Sequence, residues 1–242
     1  MTRLHKALSA RMDKAVYDYH MFSDNDSVLV AVSGGADSMV LVNLLVSAIG
    51  HYGKGIKLYA LYIDLGFGGE VEKRCRSMGS FFQHLSVDYK IITTDFGPYA
   101  HSEKNRENPC FLCSRMKRKK IFETAEELDC NVIAFGHHKD DLVETLLLNM
   151  MIGREISTMV PNLMVFQGKY RLVRPLIYIE EELIKKYCLE KDMILVDQKC
   201  PTDGRSKRQF IKELLSALEE HIPGARENIF ASMKRVKIDY LL

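Results

Sequence analysis

The sequence predicts an α/β protein: a parallel β-sheet with helices on both faces, followed by a helical C-terminal part. Three observations predict it. Short apolar, β-branched runs alternate with stretches of helical period over the first two-thirds of the chain. The first such run ends abruptly in Ser33-Gly34-Gly35 and leads straight into a helix. Beyond residue 180 the strand-like runs stop, and Pro201, Gly204, Pro223 and Gly224 punctuate helical segments. Parallel strands need long crossovers, usually helices, and such an alternation favours a sheet buried on both faces.

The elements follow in order. An N-terminal helix precedes Ser27–Val32 (SVLVAV), the first strand, and the helix after it carries Met39, Leu41, Leu44, Leu45 and Ala48 on its apolar positions. Residues 57–63 read as a strand, 70–84 as a helix and 89–93 as a strand. Residues 113–128 are expected to be helical, 131–135 a strand and 140–152 a helix. The runs 163–166 and 170–173 flank Gln167-Gly168-Lys169 and predict a hairpin. Helices are expected over 180–191, 206–220 and 225–237. The expected organisation is a core over 1–180 with a helical extension, 181–242, packed on it.

The 242 residues are 47% hydrophobic and 27% charged, which suits a soluble chain with a large core. No apolar run approaches the ~18 residues of a membrane span, and the N-terminus lacks the apolar stretch of a secretion signal. A cytoplasmic, unprocessed protein with no membrane partner is expected. The net charge is only +2, but the basic residues are grouped: Arg115, Lys117, Arg118, Lys119 and Lys120; Arg205, Lys207, Arg208 and Lys212; and Arg226, Lys234, Arg235 and Lys237. Such groups are commonly solvated helix faces, and they also suit a phosphate-binding surface. Of the six cysteines, Cys75, Cys130 and Cys188 lie in apolar or amphipathic stretches and are expected to pack. Without a secretion signal, the others are thiols, metal ligands or redox groups rather than a disulfide framework.

Ser33-Gly34-Gly35-Ala36-Asp37-Ser38 is a glycine turn between a strand and a helix. Gly34 and Gly35 let the backbone approach an anion closely, while Ser33, Ser38 and the turn N–H groups can donate to phosphate oxygens at the helix N-terminus. The turn is neither a Walker loop nor a dinucleotide fingerprint. Asp37 either caps the helix or meets a phosphate through a cation such as Mg2+. Cys110-Phe111-Leu112-Cys113 is a CxxC pair near a helix start, where thiols are acidified and can ligate metal or form a redox pair. Two cysteines do not complete a metal site. Cys200 is the preferred third ligand, with a distant His or Asp as its competitor. Gly136-His137-His138-Lys139-Asp140-Asp141 follows a strand, so in a parallel sheet it opens on the same edge as the glycine turn. Asp140 and Asp141 either cap the next helix or serve the ligand, by binding Mg2+ or positioning a nucleophile.

SGGADS resembles the SGGxDS loop of the PP-loop ATP pyrophosphatases, which cleave ATP between the α- and β-phosphates. Together with PCFLCSR, GHHKDDLVETLLLN, Val173-Arg174-Pro175-Leu176 and Asp26-Ser27-Val28, it resembles the tRNA 2-thiocytidine synthetase (TtcA-like) branch, from about Tyr19 to the C-terminus. The resemblance implies that Ala31, Val32, Ser33, Gly34, Gly35, Asp37, Ser38, Asp64, Gly136, His137 and Asp141 bind the nucleotide. It implies catalytic roles for Asp37, Lys117, Asp140 and Asp141, and a [4Fe-4S] cluster on Cys110, Cys113 and Cys200. Adenylation of a base oxygen would make it leave as AMP, with sulfur taking its place. The partners implied are tRNA, with Arg115, Arg118 and Lys119 on its phosphates, a sulfur donor, and a second copy in a homodimer. Two positions depart from the branch. Ala36 stands where it usually has Lys, and Asp197 where it often has another cysteine. A 2-thiouridine synthetase, a lysidine-synthetase-like ligase without a cluster, and a zinc-stabilised binding protein without catalysis are the alternatives.

Overall fold

A computed structural model describes residues 2–196, 198, 200–202 and 207–240. Asp197, Lys199, Gly204, Arg205 and the expected helix start at Ser206 lie outside the described residues. The elements run α1 (Arg3–Asp18), β1 (Ser27–Val32), α2 (Ala36–Tyr52), β2 (Lys57–Asp64), α3 (Val71–His84), β3 (Asp88–Thr93), α4 (Phe96–Ala100) and α5 (Pro109–Glu127). They continue as β4 (Val132–Phe135), α6 (Lys139–Leu148), β5 (Asn162–Val165), β6 (Tyr170–Val173), α7 (Glu181–Glu190), α8 (Lys207–His221) and α9 (Ala225–Ser232). The six strands form one sheet in the order β3-β2-β1-β4-β6-β5. All neighbours are parallel except β5 and β6.

Side chains alternate along the strands and fill two layers. Val28, Val30, Val32, Ala60, Tyr62, Val132, Ala134 and Val173 face a large core that also contains α2 (Leu41, Leu44, Leu45), α6 (Leu142, Val143) and α1 (Leu8, Met12). Leu29, Leu61, Ile63 and Ile133 face a smaller one, closed mainly by Ile121 and Ala125 of α5. The C-terminal helices join the larger cluster through Ile184, Tyr187, Ile211, Leu215 and Phe230. One buried cluster therefore crosses residue 180.

Several boundaries differ from the sequence expectation, each for a local reason. The hairpin is not an appendage: β6 pairs in parallel with β4, so it extends the main sheet and leaves β5 as an antiparallel edge. Helix α5 starts at Pro109 rather than 113, because the Asn108 side chain accepts from Phe111 N–H at 3.2 Å and Pro109 takes the first helical position. Both Cys110 and Cys113 thus stand in its opening turns. The helix expected over 140–152 gives way at Asn149 to a π-helical turn, which ends at Arg154 in a left-handed conformation (φ 60°). The last expected helix stops at Ser232, five residues early.

Asp64 ends β2 with no exposed surface. Its carboxylate accepts from Arg74 Nε at 2.7 Å, Arg74 Nη2 at 2.9 Å, Gly66 N–H at 2.9 Å and the Tyr62 hydroxyl at 3.1 Å. Burial alone would raise its pKa, but these donors, Arg74 first, hold it below the usual range. In this structure the acceptor positions of Asp64, expected to lie near a nucleotide, are taken up within the fold. Replacing Arg74 with Ala strands a buried carboxylate, and the expected loss is about 3–5 kcal/mol of unfolding free energy in a urea titration.

Candidate functional site

Strand β1 lies between β2 and β4, and the chain turns in opposite directions from the two strands. In an open α/β sheet, ligands bind in the crevice formed where the strand order reverses, outside the carboxyl ends of the strands. The glycine turn after β1 and the histidine–aspartate turn after β4 meet there. A Cβ on Gly136 would stand 2.9 Å from both the Asp37 carbonyl carbon and the Ser38 nitrogen. Only glycine allows the two backbones to touch.

The glycine turn is self-bonded in a way that leaves its helix end open. Ser38 Oγ accepts from Ser33 N–H at 3.0 Å and donates to the Gly35 carbonyl at 3.0 Å, and Ser33 Oγ lies 3.1 Å from it. Gly35 caps α2 without a side chain, so the first-turn N–H groups lack a side-chain acceptor and suit an anion. Gly34 adopts φ +88°, and its carbonyl accepts from Val196 N–H at 3.0 Å. The side chain of Val32 is buried in the core, so that residue can serve a ligand only through its backbone. Ala31 is half-buried, one position before it.

Around the turn stand more acids than a phosphate site tolerates alone. Asp37 lies 3.7 Å from His138 Nε2, and crowding in the crevice raises its pKa, with the imidazole opposing. Asp141 accepts from His138 N–H at 3.0 Å and from Arg208 Nη1 at 2.7 Å. Glu144, one turn further along α6, is fully buried, and among the described residues neither of its oxygens has a hydrogen-bond partner. Arg208 at 3.6 Å and Lys212 at 3.9 Å are its counter-charges, yet burial still raises its pKa. Asp140 is spent on packing. It accepts from Glu181 N–H at 2.8 Å and Arg226 Nη1 at 3.3 Å, tying α7 and α9 to α6.

His137 accepts on Nδ1 from Arg174 Nε at 3.2 Å, so its neutral form carries the proton on Nε2. Burial and the Arg174 guanidinium push its pKa down to about 4.

The three predicted cysteine ligands gather at the same sheet edge. Cys110 and Cys200 Sγ each lie 3.2 Å from the hydroxyl of Thr202, and Cys200 Sγ is 3.6 Å from His101 Nε2. Burial raises the pKa of Cys113, and Cys200 and Cys110 are close enough to raise it further, while Lys117 lowers it. Lys117 is half-buried, and desolvation lowers its own pKa against the pull of Cys113. All are free thiols. Among the described residues no three His, Cys, Asp or Glu side chains close around a single metal ion. Arg115, Arg118 and Lys119 are exposed on the same helix.

The structure thus brings Ser33, Gly34, Gly35, Asp37, Ser38, Gly136, His137 and Asp141 together, and gathers the three thiols with Lys117. Sequence reasoning missed Glu144, and it assigned Arg208 and Lys212 to a basic surface, whereas both reach into the crevice. The motif contained a signal for Glu144: spacings of three and four place Asp141, Glu144 and Thr145 on one helix face. Val196, Gln198 and Thr202 carried no signal. A cavity of about 680 Å3 between α2, α3 and residues 191–194 lies outside this set.

Two outcomes follow. Gly136→Ala forces backbone apart, with an expected cost of about 1–3 kcal/mol in thermal unfolding. For His137, the unfolded group takes a proton near 6.5 and the folded one only near 4. Its stabilising contribution is complete above pH 6.5 and is lost as pH falls toward 4, by at most ~3 kcal/mol. A His137→Asn variant is expected to show a flatter stability profile across that window in denaturant titrations.

Residues 4–218 match the PP-loop domain family. The chain is 33% identical to a tRNA-cytidine(32) 2-sulfurtransferase of Methylobacillus flagellatus, over 99% of this chain and 78% of the relative. It is 32% identical to one of Dechloromonas aromatica, over 100% and 84%. Its fold is similar to that of the U34-tRNA thiolase NcsA from Methanococcus maripaludis, a structure holding a [4Fe-4S] cluster, with a TM-score of 0.78 and 21% identity over 99% of this chain and 80% of that one. With its glycine turn open to an anion and a match to these relatives at 32–33% identity over at least 99% of its own length, the chain belongs to the PP-loop family, in the branch of the tRNA-cytidine(32) 2-sulfurtransferases.

Proposed function

We propose that this chain uses ATP to replace the carbonyl oxygen of a tRNA cytidine with sulfur. The observation that carries the reading is the meeting of Cys110, Cys113 and Cys200 at the edge of the sheet where the anion-binding turn opens. The relatives act, by name, on cytidine 32, which favours that base over uridine.

Turn N–H groups and the α2 N-terminus bind the phosphates that leave as pyrophosphate, offsetting the charge that develops there. Asp37, whose pKa burial in the crevice raises, would hold a Mg2+ ion, which would supply positive charge against the phosphates. His137, neutral and fixed by Arg174, offers an Nε2–H donor beside the same turn. Asp141 orients Arg208 at the mouth of the crevice. The base oxygen attacks the α-phosphorus, pyrophosphate leaves, and AMP later departs with that oxygen when sulfur bonds to the carbon.

The donor set fits an iron–sulfur cluster: three soft thiols lie together, and clusters are held by cysteine thiolates. Cys110, Cys113 and Cys200 would hold such a cluster, which would supply the sulfur. Lys117 places a cation beside Cys113, which favours the thiolate. The exposed Arg115, Arg118 and Lys119 extend the basic surface for the tRNA backbone. Among the described residues no helix is long and apolar enough to cross a membrane.

Anaerobic reconstitution with iron and sulfide, then incubation with tRNA, ATP and sulfide, is expected to yield 2-thiocytidine by nucleoside mass spectrometry. Cys200→Ala is expected to lose cluster iron and to form at least about 100-fold less product, the scale on which removing one essential group acts. Stoichiometric zinc without ATP turnover, lysidine, or 2-thiouridine would each overturn the reading in a different direction.

A further inference from the structure

The described residues of a strap between 196 and 202, namely Val196, Gln198, Cys200, Pro201 and Thr202, are fastened at three places. At its start, Val196 N–H donates to the Gly34 carbonyl at 3.0 Å, and a Cβ on Gly34 would meet the Val196 carbonyl at 2.7 Å. At its end, Cys200 stands beside His101 and Thr202, with Cys110 on the same hydroxyl. Between them lies Gln198, which no motif includes. Its Oε1 accepts from Leu65 N–H at 2.6 Å and its Nε2 donates to the Ile63 carbonyl at 3.2 Å.

That pair of bonds copies a β-ladder. Strand β1 pairs with β2 only as far as Val32 opposite Tyr62, so the groups of Ile63 and Leu65 on that side have no strand to meet. The neighbouring Asp64 carbonyl points the other way, to Thr94 N–H at 2.9 Å. The carboxamide is the one side-chain type that offers a donor and an acceptor in this geometry. It fixes the strap across the open end of β2, two residues from Cys200.

We propose that Gln198 is a positioning residue for Cys200, and that the strap ties the place of this thiol to the state of the nucleotide turn. Four residues extend at most about 14 Å, so Cys200 cannot move far from Gly34 while Val196 stays bonded. An anion on the turn draws on the N–H groups flanking Gly34, and any shift of its carbonyl is passed to Val196 and, with Gln198 as the fixed point, to Cys200. The inference rests on the reading of the turn as an ATP site.

The test uses cluster-free full-length protein and a non-hydrolysable ATP analogue with Mg2+. Iodoacetamide alkylation of each cysteine is followed by peptide mass spectrometry, with Cys75 as the internal reference. In the unsubstituted protein the nucleotide is expected to change the alkylation rate of Cys200 by about fivefold or more, the usual lower range of coupling between sites. Gln198→Ala is expected to abolish the change while its calorimetric affinity for the analogue and its circular dichroism stay as in the parent. Gln198→Glu, which keeps the acceptor for Leu65 N–H and loses the donor to Ile63, is expected to retain part of it. An unchanged Cys200 rate in protein that binds the analogue overturns the coupling, as does full coupling in Gln198→Ala. Protein that does not bind the analogue at all overturns the ATP reading itself.

Discussion

The contact between the turn after β1 and the turn after β4 is the constraint on which the site depends. Nothing but hydrogen fits on Gly136 where it faces Asp37 and Ser38. Because β4 is the direct neighbour of β1, the two turns open on one edge. Because Gly136 has no side chain, they close to contact instead of leaving a gap that water would fill. That closure brings Asp37 within 3.7 Å of His138 Nε2, which already stands 3.5 Å from Asp141 in its own turn. A wider crevice would leave each of them an ordinary solvated group.

The crevice also shows how a phosphate site can hold several carboxylates. Its acids are not there to meet phosphate directly. Asp141 and Glu144 hold Arg208 and Lys212, and Asp140 ties down the helices that carry part of the charge. These cations lie on α8, a helix that follows the cysteine strap in the chain. Ala36 leaves the glycine turn without a lysine of its own, and the positive charge near it comes instead from distant sequence.

Much of this was legible in the sequence, for reasons that can be stated residue by residue. SVLVAV followed by two glycines admits little besides strand, turn and helix, and CxxC after Asn108-Pro109 marks a helix start, though its starting residue was read late. What was not legible depends on partners far along the chain. Asp64 reads equally well as a ligand contact or a buried anion until Arg74 is seen around it. Asp140 and Asp141 are adjacent and alike, yet one faces α7 and α9 while the other faces the crevice. Short apolar runs around Gln167-Gly168-Lys169 predict a hairpin but not that β6 would join the main sheet beside β4. No pattern of period marks Gln198, whose importance comes only from where β1 stops.

The N-terminal helix has a consequence for the order in which the chain can assemble. Its partners are late: Arg11 pairs with Glu180, the Thr2 hydroxyl donates to Glu190 at 2.5 Å, and His5 Nδ1 meets the Tyr187 hydroxyl at 2.6 Å across 182 residues of sequence. Tyr187 in turn donates to Asn43 on α2 at 2.7 Å. During synthesis α1 emerges before α7 and cannot reach these contacts until α7 has left the ribosome. Contacts of such long separation slow folding, and until they form, the apolar face of α1 (Leu8, Met12, Ala15) stays uncovered on that side. A helix made well before its partners is thus among the last to find its place.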